Sequence, residues 1–163
     1  MPDIDLDAID RRIVAELQAD GRLTNVQLAE RVGLSPSPCL RRVKRLEREG
    51  FIEGYRASLR RGRIGLGFSV FLSVKIDGHA NDRALAFEKA VAAMPEVIAC
   101  HYISGAGTFE LQVMSTDLDA FSRFSIDTLL NLPNVKDIHT SFSLGEVKAG
   151  AALPLGHLQP AVR

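Results

Sequence analysis

The chain has 163 residues, of which 46% are hydrophobic and 25% charged, and its 20 basic side chains balance its 20 acidic ones. This is an ordinary globular composition, and it excludes a disordered, collagen-like or disulfide-scaffold protein. No segment approaches the roughly 20 apolar residues that span a bilayer, and the N-terminus is acidic where a secretory signal is basic and then apolar. We therefore expect a cytoplasmic protein without a membrane partner.

The two cysteines, Cys39 and Cys100, lie far apart in the chain, and neither has a His or Cys at the spacing of a metal site. We expect free thiols rather than a disulfide. We also expect no metal and no cofactor.

Charge is divided unevenly along the chain. Residues 1–30 carry 3 basic and 7 acidic side chains, residues 31–63 carry 10 and 3, and residues 64–163 carry 7 and 10. The middle segment therefore has a net charge of +7 between segments of −4 and −3. Such asymmetry is typical of a nucleic-acid-binding segment, but a solvated helix surface rich in arginine would produce the same counts.

Apolar periodicity and capping residues predict two helices near the start of the chain. The first covers about fifteen residues, with Asp5 as its N-cap and Gly21 as its stop. Its apolar positions recur at helical spacing: Leu6, Ile9, Ile13 and Leu17. The second begins at TNVQ, where Thr24 and Gln27 have the spacing of a capping box, and ends at Gly33 after about two turns.

A third helix is predicted in LSPSPCLRRVKRLEREG, with Ser35 as N-cap, Pro36 in the first turn and Gly50 as the stop. At about 100° per residue, one stripe of this helix is apolar: Cys39, Val43 and Leu46. Five cations lie on the opposite side of the helix, with Arg42 at the edge of this charged face: Arg41, Arg42, Lys44, Arg45 and Arg48. Because a surface that only keeps a protein dissolved mixes both signs of charge, this face predicts contact with phosphates.

The three helices, with Gly33 and Leu34 in the turn before the third, predict a helix-turn-helix whose third helix enters the major groove of DNA. The following FIEGYRASL is rich in β-prone residues and predicts a short wing or linking strand. Four arginines continue the positive charge: Arg56, Arg60, Arg61 and Arg63. They would either contact flanking phosphates or form a solvated linker.

The second half of the chain predicts the order strand, helix, strand, strand, helix, strand. The strands are predicted at 68–76, 97–103, 108–114 and 135–147, and the helices open at Asp82 and Asp117 and close before Pro95 and Pro133. This order is a split βαβ arrangement with both helices on one face of the sheet. The other face would be uncovered, and Phe71 would lie on it, so we expect a second subunit there.

The turn SGAGT between the second and third strands contains Gly105 and Gly107, which let a ligand approach the backbone closely. Exposed N–H groups in such a turn can bind a carboxylate. A hairpin with two glycines is more often only a tight turn, so the residues alone leave ligand binding open.

Several spaced motifs of the first half occur together: LDAID, LQADGR, LAERVGLS and SPSPCLRRVKRLEREGFI. With this combination the chain resembles the leucine-responsive regulatory protein / AsnC family of bacterial and archaeal transcription regulators. The resemblance implies a helix-turn-helix that binds double-stranded DNA as a dimer, with residues 36–49 as the recognition helix. It also implies a ferredoxin-like second domain that dimerises through its sheet and often assembles four dimers into an octamer.

The same resemblance implies a small amino acid effector, bound at the contact between dimers by the turn in ISGAGTFELQV. Many family members have acidic residues in this turn, in a pattern like SGxxD, whereas this chain has Ala106, Gly107 and Thr108. An uncharged loop and a buried carboxylate present different sites to an ammonium group. The expected effector-binding residues belong to this turn and to the last strand: Ser104, Gly105, Ala106, Gly107, Thr108, Thr140 and Ser141.

We therefore expect an α+β protein in which an N-terminal (winged) helix-turn-helix domain precedes a ferredoxin-like βαββαβ sandwich domain. The expected boundaries are 1–53 for the DNA-binding domain, 54–66 for a linker or wing strand, 67–148 for the ligand-binding and oligomerisation domain, and 149–163 for a tail without an assigned role.

The expected function is sequence-specific transcription regulation by a homo-oligomer that responds to a small amino acid. Arg41 and Arg42 lie near the start of the recognition helix and are expected to reach base edges. The other expected DNA contacts go to phosphates or bases: Ser35, Ser37, Lys44, Arg45 and Arg48. Two alternatives remain, an effector-free architectural DNA-binding protein and a stand-alone amino-acid-binding protein.

Catalysis is not expected from this sequence. The four histidines are scattered singly, and the chain has no phosphate-loop, HExxH or GxSxG motif. His101 and His139 both lie on predicted strands and could be neighbours, yet strand histidines are more often packed or solvated. We therefore assign no catalytic residue.

Overall fold

The computed structural model describes residues 6–76, 81–104, 108–132 and 134–158. The chain divides into two compact units, one formed by Met1–Ser58 with Lys148–Arg163 and the other by Leu59–Val147. The chain therefore passes from one unit to the other twice. Within the described residues, no helix combines the length and the apolar character needed to cross a bilayer.

The first unit contains three helices, α1 (Ala8–Ala19), α2 (Asn25–Val32) and α3 (Pro36–Arg48). They bury one apolar cluster: Ile13, Leu28, Ala29, Val32, Cys39 and Leu46. This cluster contains residues of the apolar stripes that the periodicity predicts for all three helices. Burial of these stripes, rather than helix propensity, supplies most of the stability of helices this short.

The start of α1 differs from the prediction. Asp7 rather than Asp5 is the N-cap, because the Asp7 carboxylate accepts hydrogen bonds from the backbone N–H groups of Ile9 and Asp10 at 2.9 and 2.8 Å. Asp5 lies outside the described residues. The helix consequently begins at Ala8 and has 12 residues, fewer than the periodicity suggested.

The caps of α2 and α3 mostly follow the prediction. Thr24 and Gln27 form the expected capping box, each side chain accepting a hydrogen bond from the other's backbone N–H. Gly33, at φ = 75°, ends α2 in the left-handed region that glycine adopts without strain. Ser35 occupies the N-cap of α3 but makes no capping hydrogen bond with its side chain. Gly50 follows the last turn of α3 with φ = 78°.

The short wing or linking strand predicted in FIEGYRASL has no strand partner within the single chain. Residues 51–60, all of them described, have extended or irregular backbone without a paired strand. The β-prone residues are there, but a strand also needs a neighbour to complete its hydrogen bonds. Arg61–Ile64 then form a single 3-10 turn before the sheet of the second unit.

The tail, to which the sequence assigned no role, belongs to the helical unit. It returns to the first unit, where Gly156–Leu158 form a short 3-10 turn.

The second unit is a four-stranded antiparallel sheet with two helices. Its elements are β1 (Phe68–Ile76), α4 (Asn81–Ala92), β2 (Val97–Ile103), β3 (Thr108–Ser115), α5 (Leu118–Phe124) and β4 (Val135–Phe142). A single π-helical turn at Ser125–Leu129 continues α5. The strand order is β2-β3-β1-β4, so the predicted βαββαβ arrangement is confirmed.

The last strand is shorter than predicted. Phe142 pairs with Val70, and β1 itself begins at Phe68, so little partner strand remains beyond that point. The backbone N–H of Ser143 makes one further bond, to the carbonyl of Ser69 at 3.0 Å. The strand therefore ends at Phe142 and not at residue 147.

The core of the second unit lies between the helices and one face of the sheet. Alternate residues of the central strands are buried there: Val70, Leu72, Val74, Phe109, Leu111 and Val113. The helices cover them with four large side chains: Phe87, Val91, Phe121 and Leu129. The intervening residues of β1 face the other way, and Phe71 among them is 45% exposed. Both helices thus cover one face, as predicted.

Candidate DNA interface and effector face

Three cations form an exposed stripe along α3. Arg41, Lys44 and Arg48 are exposed, and the Arg48 side chain is 72% exposed. Their spacing of three and four residues places them on one side of the helix. Ser35 and Ser37, also exposed, lie at the start of the same helix. This surface corresponds to part of the one-signed face that the sequence predicts.

The other two cations of α3 turn toward α1. Arg42 Nη1 lies 2.8 Å from Asp10 Oδ1 and 2.6 Å from Asp7 Oδ2, and Arg45 Nη2 donates to Asp10 Oδ2. Residues 42 and 45 are about one turn apart, so both guanidinium groups reach the same point of α1. The helical projection placed Arg45 on the exposed face opposite the core, and this prediction is wrong. The long Arg45 side chain instead bends toward α1, because it pairs with the buried Asp10 carboxylate.

Asp10 is the centre of this arrangement. It is 1% exposed, and an ionised carboxylate in such surroundings needs partners to offset its lost hydration. Each of its oxygens has an arginine, and Oδ2 also accepts from the backbone N–H of Asp7 at 3.3 Å. The role of Asp10 was not predicted, although its position directly after Ile9, beside the apolar stripe of α1, is a signal of a buried charge.

The pair of Arg42 and Asp7 is stabilised in its charged form. Hydrogen bonds to Asp10 and Asp7 raise the pKa of the Arg42 guanidinium. The backbone N–H of Asp10, together with Arg42, lowers the pKa of Asp7 from 3.8 to about 2. Arg42 and Asp7 are therefore both charged at neutral pH.

The start of α3 is also tied to α2. Asn25 Nδ2 donates to the carbonyl of Pro36 at 2.7 Å, which joins the first residues of the two helices. The backbone N–H of Leu34 donates to the carbonyl of Ala29 at 2.9 Å and closes the intervening turn. Nothing in the local sequence signals the bond of Asn25. This bond helps to fix the angle between α2 and α3.

The linker arginines separate into two kinds. Three are exposed: Arg56, Arg60 and Arg63. Arg61 Nη2 lies 3.0 Å from Glu146 Oε1, within the second unit, so its charge is balanced there.

The sheet face opposite the helices carries a polar row across all four strands. In register order from β2 to β4, its members are His101, Glu110, Ser73 and His139. Ser73 Oγ donates to the Glu110 carboxylate. The two histidines stand on the outer strands, roughly 14 Å apart at the usual spacing between strands. They are therefore not neighbours.

The expected effector residues fall into separate groups. Gly105, Ala106 and Gly107 and the side chain of Thr108 lie outside the described residues. Ser104 is exposed directly after β2.

Thr140 and Ser141 are adjacent on β4 and point to opposite faces of the sheet. Thr140 pairs with the buried Leu72 and is half-buried on the helix side, whereas Ser141 pairs with Phe71 and is exposed on the open side. Thr108 lies two strands and three residues away from Thr140 in the register, roughly 14 Å. Within one chain these residues do not converge on a single site.

The cysteines are free thiols, as predicted. Burial raises the pKa of Cys39, and burial together with Glu88 raises that of Cys100, so both stay protonated at neutral pH. Cys100 lines a cleft of about 370 Å³ between α4 and β2. Across the described part of the chain, no group of three or more His, Cys, Asp or Glu side chains could hold a metal ion.

Two domain families match consecutive parts of the chain. Residues 6–53 match the winged helix-turn-helix DNA-binding family, and residues 69–153 match the Lrp/AsnC ligand binding domain. Fold and site together define a DNA-binding regulator with a ligand-binding domain.

Known proteins of similar length agree with these matches. The leucine-responsive regulatory protein of Escherichia coli (strain K12) is 44% identical over 147 residues, which cover 90% of either chain. A transcriptional regulator from Neisseria meningitidis, solved as a complex with L-Met, is 45% identical with a TM-score of 0.88, covering 94% of this chain and 99% of its own. An AsnC family regulator from Agrobacterium tumefaciens is 29% identical with a TM-score of 0.88, covering 94% and 100%. The chain belongs to the Lrp/AsnC family of transcription regulators, which confirms the resemblance.

Asp10→Asn tests the junction of α1 and α3. The change removes the buried charge that pairs with both arginines and leaves Arg42 with Asp7 and Arg45 with Glu49, 3.8 Å away, so we expect the free energy of unfolding to fall by about 3 kcal/mol. Urea unfolding followed by circular dichroism measures the loss. Glu30→Gln, which removes an exposed charge from α2, is the control and should change stability by less than about 0.5 kcal/mol. Equal losses of unfolding free energy in the two variants would show that the Asp10 ion pairs stabilise the fold no more than an exposed charge does.

The lowered pKa of Asp7 predicts a pH dependence. Because folding lowers this pKa from 3.8 to about 2, the charge stabilises the fold fully above about pH 4, and the contribution is lost as the pH falls toward 2. Asp7→Asn keeps a good N-cap and removes only the charge. We expect the variant to melt below the parent at pH 7 and level with it at pH 2. Thermal unfolding across this range tests the expectation, and a constant difference would contradict it.

Proposed function

We propose that α3 is the recognition helix of a sequence-specific DNA-binding homodimer and that its exposed stripe contacts double-stranded DNA. The observation that carries this proposal is the division of its cations: Arg41, Lys44 and Arg48 are exposed along one side, while the others are held by a buried carboxylate. Arg41 is nearest the start of the helix, the part that enters the groove, and it reads base edges. Lys44 and Arg48 contact phosphates.

The remaining candidates take supporting roles. Ser35 and Ser37 donate to phosphates at the start of α3, since the Ser35 side chain makes no capping bond and both residues are exposed. Arg42 and Arg45 position α3 through Asp10 rather than read bases. Arg42 reaches DNA only when a phosphate replaces Asp7, its exposed second partner.

The ligand of the second unit is proposed to be a small amino acid. The match to the Lrp/AsnC ligand binding domain and the L-Met complex of the Neisseria regulator support this class. The turn at 104–108 binds the effector, and its backbone N–H groups hold the carboxylate. Thr108, at the end of the proposed turn, lies roughly 14 Å from Thr140 in the register, which is too far for one amino acid to bridge. A hydroxyl of Thr140 or Ser141 therefore joins the site only from another subunit.

The sheet face opposite the helices is proposed as the dimer interface. Phe71 is 45% exposed on this face, and a second copy of the sheet covers it. Four dimers then form an octamer, in which the 104–108 turns meet between dimers. No catalytic role is proposed, in keeping with a family of transcription regulators. The protein works in the cytoplasm, where its DNA partner lies.

Arg41→Ala and Lys44→Ala separate base reading from phosphate contact. On an operator selected from random sequences, Arg41→Ala should weaken binding by about 1–3 kcal/mol and relax specificity. Lys44→Ala should weaken all sequences alike and reduce the salt slope by about one. Titrations over salt and sequence measure both effects. Equal losses of Arg41→Ala on operator and random DNA would refute its base-reading role.

Thermal-shift measurements with the twenty amino acids test the effector. A ligand that binds only the folded state stabilises it by RT ln(1 + [L]/Kd), about 2.7 kcal/mol at a hundredfold excess over Kd. We expect one amino acid, or a small related group, to raise Tm, with the D-enantiomers as inactive controls. A flat response to all twenty would favour the effector-free architectural DNA-binding protein.

A further inference from the structure

The segment that follows the ligand-binding unit lines one side of an apolar groove on the helical unit. One wall of the groove consists of α1 and the residues after α3: Leu6, Val14, Leu17, Phe51, Ile52 and Tyr55. Residues 153–158 form the other wall. The match to the Lrp/AsnC ligand binding domain ends at residue 153, so the residues beyond it belong to neither matched domain.

The first anchor of this segment is a pair of hydrogen bonds. Gln18 Oε1 accepts from the backbone N–H of Leu153 at 2.8 Å, and Gln18 Nε2 donates to the carbonyl of Leu153 at 3.3 Å. One side-chain amide thus satisfies both backbone groups of one residue, as a neighbouring strand would. The next residue, Pro154, has no N–H and could not form the same pair of bonds.

The second anchor lies five residues further on. Arg11 Nη1 donates to the carbonyl of Leu158, and the 3-10 turn there is closed by Leu158 N–H donating to the Leu155 carbonyl at 3.0 Å. Leu155 and Leu158 are half-buried, whereas Leu144 and Val147, earlier in the same part of the chain, are fully exposed. Leu153 is 73% exposed although its backbone bonds to α1, so the apolar side chains that become partly covered are those of Leu155 and Leu158.

We infer that residues 153–158 are a C-terminal clasp that connects the DNA-binding helices to the ligand-binding unit a second time. The first connection is the linker that enters the unit at Leu59, and the clasp follows the point where the chain leaves it at Val147. Ten residues, 143–152, separate the clasp from the end of β4. The chain path from β4 to the clasp does not include the linker. The effect of the clasp on DNA binding rests on the proposed function, but the clasp itself does not.

Cutting the linker tests the clasp directly. A specific protease site is inserted between Ala57 and Ser58, both exposed and outside the two matched domains, in the otherwise full chain. After complete cleavage, only non-covalent contacts retain the helices. We expect the helical fragment to co-elute with the rest of the protein in size-exclusion chromatography. Elution of the fragment alone would overturn the clasp.

Matched variants show which contacts retain the fragment. Gln18→Ala combined with Arg11→Ala removes the side-chain partner of both anchors and should release most of the fragment after cleavage. Arg22→Ala makes the same chemical change at an exposed arginine that does not line the groove and should release none. Retention in the double variant would also overturn the proposal.

If the double variant is poorly folded, hydrogen exchange in the intact protein tests whether the clasp contacts the helices. In the uncut parent, the Leu153 amide should exchange at least about tenfold more slowly than an unprotected amide, because Gln18 accepts its hydrogen bond. Gln18→Ala alone should remove this protection. An unprotected Leu153 amide in the parent would overturn the clasp.

The effect on DNA binding is a separate measurement. Five base pairs inserted between two half-sites rotate them by half a turn, since one turn is 10–10.5 base pairs. We expect the parent to lose affinity about tenfold or more and the double variant less than about threefold, because its helices are held only by the linker. Equal losses would show that the clasp does not restrain the helices. Absence of DNA binding by both would refute the proposed function, while the cleavage result would still decide the clasp.

Discussion

A single buried carboxylate fixes the helix that this protein would present to DNA. Asp10 is 1% exposed, and burying its charge is tolerable only while Arg42 and Arg45 reach it from α3. The packing of α1 against α3 is therefore set by an electrostatic requirement as well as by apolar contact. The same requirement decides which cations of α3 remain outside, and so defines the surface available to phosphates.

Local patterns predicted most of the elements, because periodicity and caps act over a few residues. The capping box of Thr24 and the alternation of β1 are examples, and both agree with the structure. The wing or linking strand expected in FIEGYRASL has no partner within the single chain, and β propensity alone does not identify a partner strand. The choice between Asp5 and Asp7 as cap depends on N–H geometry that composition does not contain. The bonds of Gln18 to Leu153 join residues 135 positions apart, and no local pattern indicates them.

The candidate site was less predictable than the fold. The one-signed face of α3 was correct for Arg41, Lys44 and Arg48, but a projection with ideal side chains could not show that Arg45 folds back to a buried charge. The sequence already indicated that the candidate effector-binding residues Thr140 and Ser141 lie on different faces of the sheet. Adjacent strand residues always face opposite ways, so Thr140 and its neighbour on β4 could not share one surface.

The discontinuity of the helical unit has a consequence during synthesis. The ribosome produces α1, α2 and α3 first, then the whole sheet, and residues 153–158 only afterwards. Until then the apolar groove beside Leu17 and Phe51 is open to water or to chaperones. In a nascent chain the helices thus lack their contacts to Leu153 and Leu158 until the whole sheet has been synthesised.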